Sequence, residues 1–396
     1  MPDRSAVRSP LAQGSSLSVL VTDASYKHAV GIIRALGRAG HRVCAVSSVR
    51  LAPGFRSRFT SQWAVVPEPA KDARGFIDAI QHNAAEWQID LLVPVGFASC
   101  SAVVHHPDAF AAGGPFVVVP EAALFDAVAD KASLLEKAAG FGINVPESVT
   151  LEEVTKAHKL LARHRRVVLK RRSEAFGGRT QYIESPARLD RAIQEFQSQL
   201  SSDHLRQMII QEYVPGFGCG YMALAWHGRI VREFAHRRRR EWPPRGGAST
   251  AAESVADTEL IRQGRLLLES LGWHGPAMVE FRRNRDGDHL MELNPKFWGS
   301  LELALAAGAD YPGDLCRLAC GEDLTSRPLP PYRAGLRFWW PWRGDLRRLC
   351  LRPGDVWSVL SDLVSPRAQS NWDWRDPLPN FMEIGGEILY PVRRHH

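Results

Sequence analysis

The sequence predicts an α/β domain built on a parallel sheet, followed by an α+β domain. Three observations lead there. From Leu17 onward, short apolar runs alternate with amphipathic segments; between Gly275 and Asp310 the pattern becomes two strands around a polar loop; beyond Leu329 the composition shifts to Trp, Arg and Pro. At 396 residues the chain is long for one core, and a prior of roughly 150 residues per domain suggests two or three.

The alternation begins with SVLVTDA as a strand, HAVGIIRALGRAG as a helix closed by Gly40, and HRVCAVSS as a second strand. Helix ARGFIDAIQHNAAEWQ and strands DLLVPV and PFVVVP follow an Arg-dotted stretch. Buried apolar runs separated by helices indicate parallel strands. No GxGxxG follows the first strand, so a dinucleotide fingerprint is absent. Ligands of such sheets sit at the carboxyl ends of strands, which marks Asp23–Lys27 and Gly96–Ser101 as substrate-loop candidates, with ordinary polar loops the alternative for each.

After Leu124 comes a helix containing Asp130-Lys131, and Pro146 ends the helical stretch. RRVVLKRR is a strand that ends in positive charge and passes into SEAFGGRT, with Gly177 and Gly178. MIIQEYVPGFGCGYMALAWHG reads as strand, Pro-Gly break and strand; RIVREFAHRRRREWPPRGGAST is a strand running into a basic, Pro/Gly-rich loop.

The runs Ala277–Phe281 and His289–Leu293 around Asp286-Gly287 form a β-hairpin. With the five-residue loop Asn284–Asp288, Glu280 lies opposite Glu292 and Asn294 shares their face. Two carboxylates and an amide oxygen so placed suit a hard divalent cation, Mg²⁺ above all. A two-residue Asp-Gly turn would instead put the glutamates on opposite faces.

The composition, 45% hydrophobic and 23% charged, is that of a soluble globular protein. No run reaches the ~20 apolar residues of a membrane span, and residues 1–16 lack the apolar core of a signal peptide. Six cysteines without a CxxC pair point to a reduced, cytoplasmic protein. The net charge of +7 suits anionic small molecules as well as nucleic acid.

Taken in order, Lys131, Lys170, the break QEYVPG, the Arg-rich loop, and Glu280, Glu292 and Asn294 resemble the ATP-grasp superfamily of ligases. The similarity covers roughly Glu121 to Glu322. MVEF…MELNPKFWGSLELALAAGADYP and HRRRREWPPRGGAST…ES are similar to the branch labelled ATP-dependent carboligase or carboxylate–amine ligase. The resemblance implies a Rossmann-like pre-ATP-grasp domain at 17–120, after a disordered tail at 1–16. A two-lobed ATP-grasp domain at 121–328 follows, with a lid at about 140–214, and a Trp-rich C-terminal appendage at 329–396 packs on the main body.

It further implies ATP and Mg²⁺, two ions, with an amide formed through an acyl phosphate. Lys131 and Lys170 would neutralise phosphates, with the Gly177-Gly178 loop closing over them. Gln211, Glu212, Tyr213 and Val214 would form the hinge whose backbone recognises adenine, with Glu212 facing the ribose or the adenine amino group. Glu280, Glu292 and Asn294 would hold the metal. Lys296, with Arg238 and Arg240 of the basic run, would hold the substrate carboxylate and acyl phosphate, at ~3–4 kcal/mol per stabilising group.

Departures from the family pattern are Cys219 where relatives carry a second ribose-binding acid, and Lys296 where an arginine is common. A lysine cannot form a bidentate fork to a carboxylate. Alternatives are bicarbonate activation and a non-catalytic nucleic-acid or regulatory binder using loop 236–240. The expected partners are a small carboxylate and a small amine, with no membrane and no nucleic acid, and a homodimer is compatible.

Overall fold

Strand β1 (Ser18–Val21) is almost wholly apolar and sits at the centre of its sheet, where both faces are covered. The computed structural model describes residues 16–111, 113–173, 180–199, 207–242, 247–343, 345, 349 and 353–389. Gly177 and Gly178 lie outside them. The described chain forms two units, one of residues 16–122, 220–278 and 295–389, the other of residues 123–219 and 279–294.

In the first unit β1 is flanked by β2 (Arg42–Ser47), β3 (Thr60–Val65), β4 (Leu91–Val93) and β5 (Phe116–Val117), in the order β3-β2-β1-β4-β5, all parallel. The helix Lys27–Arg38 turns Ala29, Ile32, Ile33 and Leu36 into the core, and Gly40, at φ +87°, follows its end. Asp72 caps the helix Ala73–Glu86 by accepting the Gly75 N–H at 2.8 Å. Asp23 draws together the ends of β1 and β4: its carboxylate accepts from Gly96 N at 2.7 Å and Ser99 Oγ at 2.9 Å. Both candidate substrate loops are thereby tied to one side chain.

The second unit holds β6 (Ser148–Thr150), β7 (Val167–Arg171), β8 (Gln181–Ile183) and β9 (Met208–Glu212), antiparallel in the order β6-β9-β7-β8. Leu160 and Leu161 of the helix Val154–His164 cover it together with Leu189 and Ile193.

Seven further strands are β10 (Phe217–Trp226), β11 (Arg229–Trp242), β12 (Ala248–Ser254), β13 (Gly275–Asn284), β14 (Gly287–Asn294), β15 (Arg337–Trp339) and β16 (Ala368–Ser370). The first unit has β10 from Gly220 onward, β11, β12, β15, β16 and the start of β13; the second has residues 217–219, the outer part of β13 and all of β14. The C-terminal segment thus contributes two strands to a sheet, β15 antiparallel to β12 and β16 parallel to β15.

The hairpin corrects one expectation. A two-residue turn, Arg285-Asp286, joins β13 to β14 in place of a five-residue loop. Plain alternation would then separate Glu280 from Glu292. The burial alternation of β14 slips at Met291 and Glu292, two successive half-buried residues. Asn294 Nδ2 nonetheless lies within 3.4 Å of an oxygen of each glutamate.

Gly216 is fixed by sterics. It adopts φ +108°, and a Cβ there would lie 1.9 Å from the Arg283 carbonyl oxygen. Among the described residues, no helix is long and apolar enough to cross a membrane.

Candidate functional site

The second unit gathers five of the residues singled out above. Asn294, at the end of β14, places Nδ2 3.3 Å from Glu280 Oε1 and 3.4 Å from Glu292 Oε1. Lys131 Nζ lies 3.0 Å from Glu292 Oε2. Lys170, on β7, feels the charges of Lys131, Glu292 and Glu280. Burial, and then the neighbouring Lys131, push its pKa from 10.5 down to about 8, against the opposing pull of the two glutamates. Two cations and two anions therefore converge, with an amide between the anions.

Two residues that the sequence reading passed over set the lysines in place. Asp130 Oδ1 caps the helix Lys131–Gly140 through the Ser133 N–H at 2.9 Å, and accepts from Arg172 Nη2 at 2.9 Å. The Lys131 N–H donates to the Arg172 carbonyl at 2.8 Å. A side-chain pair and a backbone bond thus join the helix that starts at Lys131 to the segment that follows Lys170. The sequence signal was Asp130 itself, an N-cap residue type before a helix.

The donor set fits a hard cation. Two carboxylates and a carboxamide offer oxygen ligands, and turning the Asn294 amide by half a revolution would present its oxygen in place of its nitrogen.

The hinge is more committed to the fold than expected. Gln211 is buried, and its Nε2 donates to Ser148 Oγ at 2.9 Å. The N–H groups of Glu212 and Tyr213 bond to the carbonyls of Glu147 and Arg166, at 2.9 and 3.2 Å, so these two donors serve the sheet rather than a base. Glu212 was expected to face a nucleotide; instead its Oε2 accepts the Glu147 N–H at 3.2 Å and lies 3.5 Å from His164 Nε2. Tyr213 carries the Arg166 guanidinium 4.7 Å from its ring centroid. The Val214 carbonyl accepts from Arg282 Nε at 2.9 Å. Cys219 is buried, with Sγ 3.7 Å from the Phe281 carbonyl oxygen, and so is packed as a core thiol.

Lys296, Arg238 and Arg240 belong to the first unit. Lys296 is half-buried. Arg238 reaches the Gly247 carbonyl at 3.3 Å. Arg240, expected at a substrate contact, turns into the fold. Register shifts in β11 on both sides of it accompany an inward side chain. There its guanidinium meets Asp345 at 2.6 Å, Asp362 at 2.5 Å and Ser358 Oγ at 3.2 Å, almost without exposure. Its donors are spent on the fold. Arg237 and Arg239 share Glu253, each at 3.0 Å, and Arg238 Nη1 lies 3.8 Å from Glu241 Oε1, so all four arginines of the basic run face carboxylates of this chain. His236 is fully buried, and burial, followed by the charge of Arg238, lowers its pKa to about 3; it is neutral and bonds Ser300 Oγ at 3.3 Å.

Residues 204–340 match the family described as ATP-grasp in the biosynthetic pathway with Ter operon. The fold is similar to that of biotin carboxylase from Campylobacter jejuni, at 17% identity and TM-score 0.62, covering 82% of this chain and 75% of that one. It is also similar to an L-amino acid ligase from Bacillus licheniformis, at 13% identity and TM-score 0.57, covering 77% and 74%. An N5-carboxyaminoimidazole ribonucleotide synthetase solved with ADP shares it as well, at 15% identity and TM-score 0.61, covering 83% and 81%. No curated protein sequence matches the chain. The family match thus covers residues 204–340, about a third of the chain, and the fold is shared with these structures over some four-fifths of the sequence.

Proposed function

We propose that the chain is an ATP-dependent carboxylate–amine ligase. The observation that carries this reading is the convergence of Lys131 and Lys170 with Glu280, Glu292 and Asn294. Lysine ammoniums act as point charges on phosphate oxygens, and the density around Lys170 strengthens its field by excluding water. Glu280, Glu292 and Asn294 hold Mg²⁺, two ions in this reading, which supplies charge neutralisation to the triphosphate. Asp130 and Arg172 keep the lysines in register. Lys296 and Arg238 hold the substrate carboxylate, and the burial of Arg240 supports leaving it out of that role.

In this reading residues 121–328 bind the nucleotide and residues 17–120 supply the amine-side loops. A carboxylate oxygen attacks the γ-phosphorus and ADP leaves. The amine nitrogen then attacks the acyl carbon, phosphate departs, and the amine proton passes to solvent or a nearby base. Likeness to an L-amino acid ligase supports an amine acceptor.

The likeness to biotin carboxylase and to the carboxyaminoimidazole enzyme favours a second reading, in which bicarbonate is the activated carboxylate. Phosphate release separates the two. A ligase releases phosphate from ATP only when an organic carboxylate and an amine are both present, with a mass-identified amide as product. Turnover that needs bicarbonate and no organic acid selects the second reading. ATP turnover absent across a broad acid and amine panel, together with no ATP binding, sinks both.

A further inference from the structure

The C-terminal segment is inverted in polarity. In the helix Val356–Val364, Ser358 and Asp362 lie on one side and point inward to Arg240. On the opposite side Trp357, Leu363 and Val364 are 76%, 64% and 79% exposed, with Val356 and Leu360 between them in angle. The next helix, Leu378–Leu389, repeats the arrangement. Asn380 is buried and accepts from Arg34 Nη2 at 2.8 Å, and buried Glu383 accepts from Asn371 Nδ2 at 3.1 Å. Leu378 and Phe381 face outward at 57% and 54% exposure, beside Trp374 at 80%. The rings of Trp374 and Phe381 lie 5.0 and 5.3 Å from that of Trp372, which makes one aromatic patch. A surface helix normally buries its apolar side; here the buried contacts are polar and the apolar side is displayed.

Charge indicates what this face meets. Four acids of the segment are turned inward onto arginines from earlier in the chain, Asp345 and Asp362 onto Arg240, Asp376 onto Arg34, and Asp373 onto Arg38, while Asp355 at the start of the first helix is half-buried. Its own Arg367 and Arg375 are exposed, and exposed Arg58 donates to the Arg375 carbonyl at 3.3 Å, beside Trp374. An isologous pairing of two copies would bring these arginine rims together, and a net charge of +7 adds to the repulsion. Tryptophan, phenylalanine and leucine ringed by arginine suit the boundary between lipid headgroups and acyl chains.

We propose that this face docks peripherally on an anionic lipid surface, with Trp374, Leu378 and Phe381 entering the headgroup layer and Arg58 and Arg375 meeting lipid phosphates. The proposal is independent of the ligase reading.

The test is co-flotation of the full chain with phosphatidylcholine vesicles and with equimolar phosphatidylcholine–phosphatidylglycerol vesicles, at low and high salt. Binding to the anionic vesicles, weakened by salt, is expected, together with a blue shift of tryptophan emission. Trp374→Ser and Phe381→Ser, both at exposed sites, should each reduce partitioning by roughly tenfold with unchanged circular dichroism and melting temperature. Arg58→Gln/Arg375→Gln should remove the preference for anionic lipid. Absence of flotation on both vesicles, or equal flotation of the serine variants, overturns the proposal. So does sedimentation showing a dimer that Phe381→Ser dissociates, which would assign the face to a second copy. Tighter binding to single-stranded nucleic acid than to vesicles would likewise overturn it.

Discussion

Lys170 gives the sharpest prediction, because its environment sets where its charge is lost. Burial and the adjacent Lys131 bring its pKa from 10.5 to about 8. One unit is worth about 1.4 kcal/mol, so holding the proton in the nucleotide-free protein costs on the order of 3 kcal/mol. A bound triphosphate brings negative charge to both lysines and offsets that cost. Above pH ~8 the free protein has shed the proton, and ATP must bind together with one proton from solvent. The dissociation constant for ATP should therefore stay flat to about pH 8 and then rise roughly tenfold per pH unit. Calorimetry in buffers of different ionisation enthalpy should register uptake of one proton at pH ~9. Lys170→Arg keeps its charge throughout this range and should abolish the rise. The folding linkage has the opposite sense: the folded pKa lies below the unfolded one, so between about 8 and 10.5 the unfolded chain binds more protons and stability rises with pH. An ATP affinity independent of pH up to ~9.5 in the unmodified protein, or a rise that persists in Lys170→Arg, would refute the assignment.

Three further predictions concern the scaffold. Asp130→Ala removes a helix cap and the Arg172 partner; stability should fall by ~1–2 kcal/mol in chemical denaturation, and the KM for ATP should rise more than kcat falls, with Asp130→Asn restoring part of the loss. Arg240→Met leaves Asp345 and Asp362 buried without their cation, so unfolding should become easier by ~3–5 kcal/mol, while turnover per folded molecule stays unchanged. Glu302 is fully buried, its Oε2 accepting from Trp340 Nε1 at 2.8 Å. Burial and then the nearby Glu383 raise its pKa to about 7, with Trp340, Lys27 and Arg34 pulling the other way. Because the folded pKa is the higher one, the stability it contributes is complete below about pH 4.5 and is lost as pH rises through about 7. Glu302→Gln should accordingly raise the melting temperature at pH ~8 and change it little at pH ~5.

The parallel sheet was readable because SVLVTDA, HRVCAVS and DLLVPV are compact apolar runs with helical stretches between them, and the pattern of period leaves little choice. Lys131, Lys170, Glu280, Glu292 and Asn294 were readable by their order along the chain. How the two glutamates meet across a two-residue turn was not, since plain alternation from that turn would part them and no residue type announces the break in burial alternation at Met291-Glu292. The inward turn of Arg240 was not readable for a related cause. In HRRRR every side chain is chemically alike, and irregular pairing in β11 decides which of them turns inward. Its partners, Asp345 and Asp362, stand more than a hundred residues away, beyond the reach of local pattern. The bond from the Glu147 N–H to Glu212 was not readable either, because a carboxylate at a strand end can as readily bond a neighbouring strand's N–H as a ligand.

The central claim is that Glu280 and Glu292, with the two lysines, hold a metal–triphosphate complex. Its most direct test is the affinity of the purified chain for ATP with and without Mg²⁺, in the unmodified protein and in Glu292→Gln, which keeps the shape and removes the charge. The account predicts Mg²⁺-dependent binding by the unmodified chain, with the Mg²⁺ dependence lost and phosphate release reduced by more than ~100-fold in the variant. Equal Mg²⁺ dependence in both proteins would contradict it.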